Sequence, residues 1–262
     1  MKLNVCALLA LCAGAPAMAQ LVDVRSDPNP GSSNVVVDGL LGPNEYGPGN
    51  NQFFVGGGSG FGGTIGYGTL YMDQDANNLY VGFRAGNNLN DNVVILIDSR
   101  AGGFTDAAMN DTADPGRNLS TNLTRDSDDQ FAPTFLPDFS LVIGQFGMVT
   151  FELTGGSLNF LQYSGAPFTG NDPNIIREIA IPKASMALSS SFDFIVGYGS
   201  DSNYMSDETI PVQPFTGTGN PGFGGGGPVP WPRWDTFQKA PAPGSLAFLG
   251  IAGLAAARRR RA

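Results

Sequence analysis

The stretch TLYMDQDANNLYVGFRA, residues 69–85, decides the fold class because two strand-like runs flank a short polar turn. In its second half Leu79, Val81 and Phe83 alternate with more polar or smaller residues. Side chains of a strand alternate between faces, so this period of two predicts a sheet with one buried face. The Asp and Asn residues of DANN, 75–78, favour a tight turn. The stretch therefore predicts an antiparallel hairpin.

Similar short runs recur on both sides of the hairpin and are separated by Gly, Asn, Asp and Pro. The longest, NVVILIDSR (92–100), is nearly all apolar and predicts a central strand. The other predicted strands are VVVDG (35–39), QFFVGG (52–57), FSLVIGQ (139–145), MVTFELT (148–154), LNFLQYS (158–164), IIREIAIP (175–182) and FDFIVGYG (192–199). Only PKASMA (182–187) predicts a short helical turn. The pattern predicts an all-β fold, an antiparallel, jelly-roll-like β-sandwich.

The composition limits the chemistry that this chain can perform. The 262 residues include no His, and the only two cysteines, Cys6 and Cys12, lie in an N-terminal apolar segment. The commonest general base and metal ligand is therefore missing, and no disulfide is expected after that segment. The net charge is −9, although five of the 14 basic residues lie in the two acid-free ends. So acidic a chain should repel nucleic acid.

The N-terminus, MKLNVCALLALCAGAPAMAQ, has the layout of a secretory signal peptide. Lys2 provides a positive start and a short apolar stretch follows it. Ala17 and Ala19 form a small-x-small cleavage site before Gln20. We therefore expect export, with signal peptidase as a transient partner.

The C-terminal residues 241–262 combine a Pro/Gly break, an apolar run and a basic cluster. The break contains Pro241, Pro243 and Gly244, and the apolar run extends from Leu246 to Ala257. The run is shorter than the roughly 17–25 residues that span a bilayer comfortably. The cluster, which we expect on the cytoplasmic side, is Arg258, Arg259, Arg260 and Arg261. These features predict a transient membrane insertion of the tail.

This three-part tail resembles the PEP-CTERM sorting signal, with Ala242 where the name-giving motif has Glu. The resemblance implies a sorting helix, recognition by an exosortase-type protease and cleavage near Pro243. It also implies release or attachment at the cell surface, in association with exopolysaccharide and biofilm matrix. The alternative interpretation is a simple C-terminal membrane anchor.

Four segments follow from these patterns: a signal peptide (1–19), a β-sandwich domain (20–210), a Gly/Pro-rich segment (211–240) and the sorting tail (241–262). Within the domain, residues 101–138 lack periodicity and are rich in Asp, which predicts a long solvated loop. A second resemblance is to secreted β-sandwich domains similar to family 9 carbohydrate-binding modules. It is carried by VVVDGLLGPNEYG (35–47), DQDANNLYVGF (73–83), REIAIPKASM (177–186) and FDFIVGYGSDSNYMSDETIP (192–211).

Calcium is the one cofactor that the sequence suggests. Asp73, Asp75 and Asn77 supply the alternating oxygen ligands that begin a calcium loop. Asn78 and Arg84 stand where an EF-hand requires Gly and Glu, so an EF-hand is excluded. The alternative interpretation is a β-turn stabilised by its Asp and Asn side chains. A second acidic candidate is the set Asp106, Asp111, Asp114, Asp126, Asp128 and Asp129.

Catalytic and sugar-binding residues are harder to place. A glycosidase needs two carboxyl groups, but nothing in the sequence pairs Glu45, Glu152, Glu178 or Glu208, for which we expect solvent-facing or turn-capping roles. Sugars stack on exposed aromatic rings. The candidates are Tyr46, Tyr67, Tyr163, Tyr198, Tyr204, Trp231 and Trp234, of which most of the tyrosines are expected to pack in the core.

The sequence therefore predicts a non-enzymatic, surface-sorted β-sandwich protein of the cell envelope or extracellular matrix. The alternative function is a carbohydrate-binding module that acts on extracellular polysaccharide. A secreted hydrolase ranks third, because its usual catalytic groups are missing.

Overall fold

The computed structural model describes the β-strand regions of the chain and part of the segments that connect them. The described residues are 20–24, 33–47, 51–53, 68–86, 89, 91–104, 111, 113–114, 116–118, 120–121, 129–132, 134–154, 157–164, 176–189, 191–199, 205–214 and 229–238. They are almost entirely β-strand and coil, which confirms the all-β prediction. The predicted signal peptide and sorting tail lie outside them.

Fourteen strands run through the described residues and form three sheets. They are β1 (Gln20–Val24), β2 (Asn51–Phe53), β3 (Thr69–Gln74), β4 (Asn78–Arg84), β5 (Asn92–Asp98), β6 (Asp129–Phe131), β7 (Phe139–Gly144), β8 (Gly147–Thr154), β9 (Ser157–Ser164), β10 (Ile176–Pro182), β11 (Ser191–Gly199), β12 (Met205–Ile210), β13 (Val229–Trp231) and β14 (Asp235–Gln238). A 3₁₀ turn, Lys183–Met186, follows β10 as predicted.

The predicted hairpin is present as β3 and β4, which pair antiparallel from Thr69 opposite Arg84 to Gln74 opposite Leu79. Leu79, Val81 and Phe83 are fully buried, as their alternation predicts. The hairpin forms the centre of a four-stranded antiparallel sheet with the order β10-β4-β3-β2.

The larger sheet has eight strands, in the order β1-β14-β11-β5-β7-β8-β9, with β12 also paired to β11. As predicted, β5 is central, because β11 and β7 flank it. One side of β11 is shared by two strands: β14 pairs with Ser191–Phe194 and β12 pairs from Val196 to Gly199. All pairings in this sheet are antiparallel except that of β1 with β14, which is parallel.

The main core contains side chains from both large sheets. The smaller sheet provides Leu70, Val81 and Ile179, and the larger provides Ile95, Leu141 and Phe194, all almost completely buried. Removing this apolar surface from water is the dominant favourable contribution to folding. The shared cluster is therefore what holds the two sheets together.

A second cluster, the outer core, covers the opposite face of the larger sheet. Strand residues such as Val94, Leu96 and Ile195 pack there against side chains that arrive from outside the sheet: Phe104, Ala132, Phe135, Trp231 and Trp234. The predicted solvated loop at 101–138 therefore contributes to a core. The apolar residues of this segment are spaced without a period, so no pattern in the sequence marks them as core residues.

Three parts of the chain differ from the sequence prediction. VVVDG, 35–39, is coil rather than a strand, and Val36 and Val37 are exposed. The sheets extend beyond residue 210, because the Gly/Pro-rich segment contributes β13 and β14. The two-stranded sheet of β13 and β6 was not predicted. Among the described residues, no helix is long and apolar enough to cross a membrane.

Candidate functional site

A groove lies on the outer face of the larger sheet, above β8 and β9. Its volume is about 430 Å³, within the range of small-ligand sites. Its lining is mostly apolar and aromatic, with one acidic and one basic side chain: Asp114, Gly116, Arg117, Phe146, Val149, Phe151, Phe160 and Tyr163. We call it the β8–β9 groove.

A β-bulge in β9 aims two aromatic rings into this groove. Phe160 pairs with Phe151 and Tyr163 pairs with Val149, but Gln162 pairs with Thr150, so Leu161 has no residue opposite it in the ladder. Residues three apart on a regular strand point to opposite faces. The extra residue restores Tyr163 to the face of Phe160, as bulges near functional sites often do. Both side chains are more than half exposed, 55% for Phe160 and 54% for Tyr163.

Hydrogen bonds and ring contacts hold these aromatic groups in place. The Tyr163 hydroxyl donates to the carbonyl of Phe146, which lies in the turn between β7 and β8, at 2.6 Å. The Phe160 ring meets the buried Phe151 ring edge-on, with centroids 6.4 Å apart. Such edge-to-face pairs stabilise a defined ring orientation. Phe160 and Tyr163, which we call the aromatic wall, are thus held in position without a ligand.

The polar wall is built on a short helical turn at residues 116–118. Arg117 Nη1 donates to Asp111 Oδ2 at 2.9 Å and to the Leu158 carbonyl, while its Nε lies 3.0 Å from Asp114 Oδ2. The guanidinium also stacks over Phe151, 5.3 Å from the ring centroid. Arg117 therefore ties the turn to β9.

The electrostatics of this wall come from Asp111 and Arg117. Burial works to raise the pKa of Asp111. Hydrogen bonds from the N–H groups of Leu158 and Ala113, together with Arg117, overcome that effect and lower its pKa below the usual value. The Asp114 side chain, by contrast, is half exposed and faces the groove. The groove thus offers one accessible carboxylate beside a neutralised guanidinium.

Comparison with protein-family models, with curated proteins and with solved structures gives no match for this chain. The function has to be argued from the residues themselves.

The residues predicted to bind calcium occupy the β3–β4 hairpin. Asp75 Oδ1 accepts the N–H groups of Asn77 and Asn78, and its Oδ2 accepts the Tyr80 hydroxyl at 2.8 Å. Asp73 is buried and accepts hydrogen bonds from the Ser33 hydroxyl and the Gln74 N–H. Both carboxylates thus have donors within the chain, as the turn interpretation requires. Calcium binding at this hairpin stays a prediction.

Groups of three or more acidic, His or Cys side chains with metal-site geometry are absent from the part of the chain that the structure describes. In the predicted acidic loop, Asp111 pairs with Arg117, and Asp114 lies in the groove. Asp106, Asp126 and Asp128 lie outside the described residues, as does the side chain of Asp129.

The fold brings together two glutamates that the sequence left apart. Residues 33–47, which we call the strap, cross the outer face of the smaller sheet. Glu45 accepts the N–H groups of Val36 and Gly42 within the strap. Glu178 of β10 accepts the N–H groups of Asp38 and Gly39 and, at 2.9 Å, the hydroxyl of Tyr46.

Burial changes the titration of Tyr46 and Glu178. Burial, followed by the effect of Glu178, raises the pKa of Tyr46, and burial raises that of Glu178. Glu178 and Glu208 are buried, contrary to the expectation of solvent-facing glutamates, whereas Glu45 caps a turn as predicted. The Glu178 carboxylate anchors the strap to the sheet, and the Glu45 carboxylate joins two parts of the strap to each other.

Most of the predicted sugar-stacking residues are not available for stacking. Trp231 is fully buried, and Trp234 nearly so, in the outer core, because the sheet continues through their segment. Tyr46 and Tyr198 are also buried. Only Tyr163 lines the groove, while Tyr67 and Tyr204 lie outside the described residues. The sequence prediction missed Phe146, Phe160 and Arg117.

The predicted processing residues lie outside the described residues. They are Ala17, Ala19, Pro241, Pro243, Gly244, Arg258, Arg259, Arg260 and Arg261. Their proposed roles depend on the sequence alone.

Proposed function

We propose that this chain is an exported, surface-sorted and non-catalytic protein of the cell envelope or exopolysaccharide matrix. One observation carries the proposal: a signal-peptide pattern at residues 1–19 and a three-part, PEP-CTERM-like pattern at 241–262 flank a β-rich region. Signal peptidase and an exosortase-type protease act on the two ends, and the tail inserts into the membrane transiently.

The region between the ends is a jelly-roll-like β-sandwich in this proposal. The main core supports it, because side chains of both large sheets enter one apolar cluster. Sandwiches present loops and strand faces for binding without requiring a catalytic centre. This architecture suits a structural or binding component of a matrix.

Two features favour a non-catalytic role. The sequence has no His to act as a general base. The acidic groups that the fold brings together, Glu45 and Glu178, accept hydrogen bonds from backbone N–H groups of the strap. A hydrolase therefore remains the third candidate.

Intact-mass analysis of the protein recovered from its native cell surface tests the proposal. We expect a chain that begins at Gln20 and lacks the residues from about Pro243 onward, because the Pro/Gly break faces the outside while the arginines stay on the cytoplasmic side. Replacing Arg258–Arg261 by alanine should impair this processing, whereas Asp73→Ala, the control, should not. A recovered chain that still ends at Ala262 would support the simple anchor instead.

The second candidate function is extracellular carbohydrate binding. The β8–β9 groove favours it, because exposed aromatic rings next to a few polar groups suit the apolar faces and hydroxyl groups of sugars.

A further inference from the structure

The β8–β9 groove has the features of a built site rather than those of an incidental depression. Phe160 and Tyr163 are among the few large apolar or aromatic side chains that are more than half exposed in the described residues. A bulge is needed to bring both to one face, and hydrogen bonds or ring contacts fix each ring. Exposed rings carry a solvation cost, so a fold that orients them this way points to a ligand.

The charges around the groove argue against an anionic ligand. Two carboxylates, Asp111 and Asp114, flank the single guanidinium of Arg117, and the whole chain has a net charge of −9. A phosphate or uronate would compete with both carboxylates for Arg117 and meet a repulsive field. The exposed carboxylate of Asp114 also makes insertion of the groove into lipid unfavourable, because a charge would enter an apolar medium. The ligand should therefore be neutral and polar.

The shape of the groove suits a piece of a longer polymer. In the described part of the chain β9 pairs only with β8 and ends the larger sheet, so no further strand limits the groove on that side. The volume of about 430 Å³ accommodates a small ligand, and a chain could leave it across the sheet edge. Flat rings with apolar faces and hydroxyl edges would satisfy the aromatic wall and the Asp114 carboxylate together.

We propose that the β8–β9 groove binds a neutral polysaccharide, whose sugar rings stack on Phe160 and Tyr163 while hydroxyl groups donate to Asp114. This inference deepens the carbohydrate-binding candidate and rests on it. The outer core, which seals the rest of this face with Trp231 and Trp234, confines binding to the end of the sheet at β9.

Affinity gel electrophoresis of the purified full chain tests this site, with galactomannan and hydroxyethylcellulose as neutral probes and alginate as the acidic probe. We expect at least one neutral polysaccharide to retard the protein and alginate not to do so. The double variant Phe160→Ala/Tyr163→Ala should weaken binding ~10-fold or more, because both stacking surfaces are lost. Phe160→Trp should retain binding, since it keeps a flat ring.

Phe53→Ala is the matched control, because Phe53 is also 55% exposed but lies in β2 at an edge of the other sheet. It should bind as the parent does. All variants should melt cooperatively, and the double variant should melt below the parent because it loses the Phe151 ring contact and the Tyr163 hydrogen bond.

Several outcomes would overturn the proposal: equal loss in Phe53→Ala, retardation by alginate alone, or no retardation by either neutral probe. The proposal would also be overturned if the parent bound no sugar but bound phosphatidylglycerol vesicles or self-associated, and the double variant lost that binding or self-association. Intact-mass analysis measures the processing of the tail, which does not depend on the groove. A negative result in the polysaccharide assay therefore leaves the sorting proposal unaffected.

Discussion

At the scale of single residues, Gly82 shows why one position in a strand has to lack a side chain. The Tyr46 ring of the strap rests directly on the backbone of β4 at this point. A Cβ atom added at Gly82 would lie 2.7 Å from Tyr46 Oη and 2.8 Å from its Cζ. Such contacts are too short for packed atoms, so the glycine makes room for the tyrosine that reaches Glu178.

We predict that Gly82→Ala lowers the free energy of unfolding by about 1–3 kcal/mol, because the methyl group displaces Tyr46 from Glu178. Urea unfolding measures the loss. In a Tyr46→Ala background the same substitution should cost much less, since the clash is gone. An equal cost in both backgrounds would show that strand geometry, rather than the strap, requires glycine here.

Asp235 is an acidic residue on a core-facing position of β14. It pairs with Phe194 and lies two residues before Phe237, both of which belong to the main core. Burial raises the pKa of Asp235 to about 7, and its Oδ1 has no hydrogen-bond partner among the described residues. The folded chain therefore keeps this proton when the unfolded chain has already released it.

We predict that stability falls as the pH rises from about 4 to 7, because the unfolded state then binds fewer protons than the folded state. Burial also raises the pKa of Asp98 to about 6, which acts in the same direction. Asp235→Asn should flatten part of this slope and increase the stability at pH 8 by about 1–2 kcal/mol. Thermal melts from pH 4 to 8 measure the slope, with the exposed Asp38→Asn as the control. An unchanged slope in Asp235→Asn would contradict the assignment.

The groove shows what a sequence pattern could not reveal at residue scale. LNFLQYS was recognised as a strand, but its period of two places Phe160 and Tyr163 on opposite faces. The bulge at Leu161 places both rings on the same face, and nothing in the sequence marks the position of the bulge. The contacts of Arg117 and Asp111 with β9 could likewise not be read from the sequence, because Leu158 lies 41 residues beyond Arg117 and 47 beyond Asp111.

At the scale of elements, most of the predicted strands have an apolar face in the main core. The strands β3, β4, β5, β7, β8, β9, β10 and β11 all coincide with runs rich in Val, Ile, Leu and Phe. The strands β1, β6, β12, β13 and β14 have no such apolar run, because polar residues or Pro interrupt them. Conversely, VVVDG has strand propensity but no apolar partner surface, and it remains coil as part of the strap.

Side chains of β9 cover part of the free edge of β10. Gln162 Nε2 donates to the Ala180 carbonyl at 2.9 Å, and the Ser164 hydroxyl donates to the Glu178 carbonyl. From the other side, Arg177 donates to the carbonyls of Gly144 and Gln145. Groups that could recruit another strand are thus occupied, which limits edge-to-edge aggregation.

The segment 229–238 should be necessary for the fold, although its composition resembles a linker. It supplies β13, β14 and the buried Trp231 and Trp234. We predict that a chain ending at residue 214 loses near-ultraviolet circular dichroism and binds ANS, because both cores open. A chain ending at residue 240 should melt cooperatively. Equal melts of the two chains would show that the segment is dispensable.

At the scale of the whole molecule, the chain from Gln20 onward contains no cysteine that could form a disulfide. Cys6 and Cys12 both lie within the predicted signal peptide. We predict that the protein recovered from its native cell surface melts at the same temperature with and without reductant, because removal of the signal peptide would remove both cysteines. Differential scanning calorimetry provides the measurement, with a disulfide-bonded protein as the positive control for the reductant. A shift in the melt would mean that the cysteines remain in the mature protein.

The larger sheet is covered on both faces, which an antiparallel sheet does not require. One face joins the main core, and the other is sealed by Phe135, Trp231 and Trp234. The sequence predicts one buried face for the β3–β4 hairpin, which belongs to the smaller sheet. The second cover of the larger sheet comes from the short strand β13 and from coil residues, whose packing has no period for a pattern to reveal.

The position of β14 has a consequence for the order in which the larger sheet can be completed. This strand fills the space between β1 and β11, yet it is the last strand of the described chain to be synthesised. Until it is available, β11 keeps part of one edge unpaired and β1 has no neighbour among the described strands. A chain that emerges from its N-terminus therefore holds an incomplete sheet, with an edge open to other chains, until its last strand arrives.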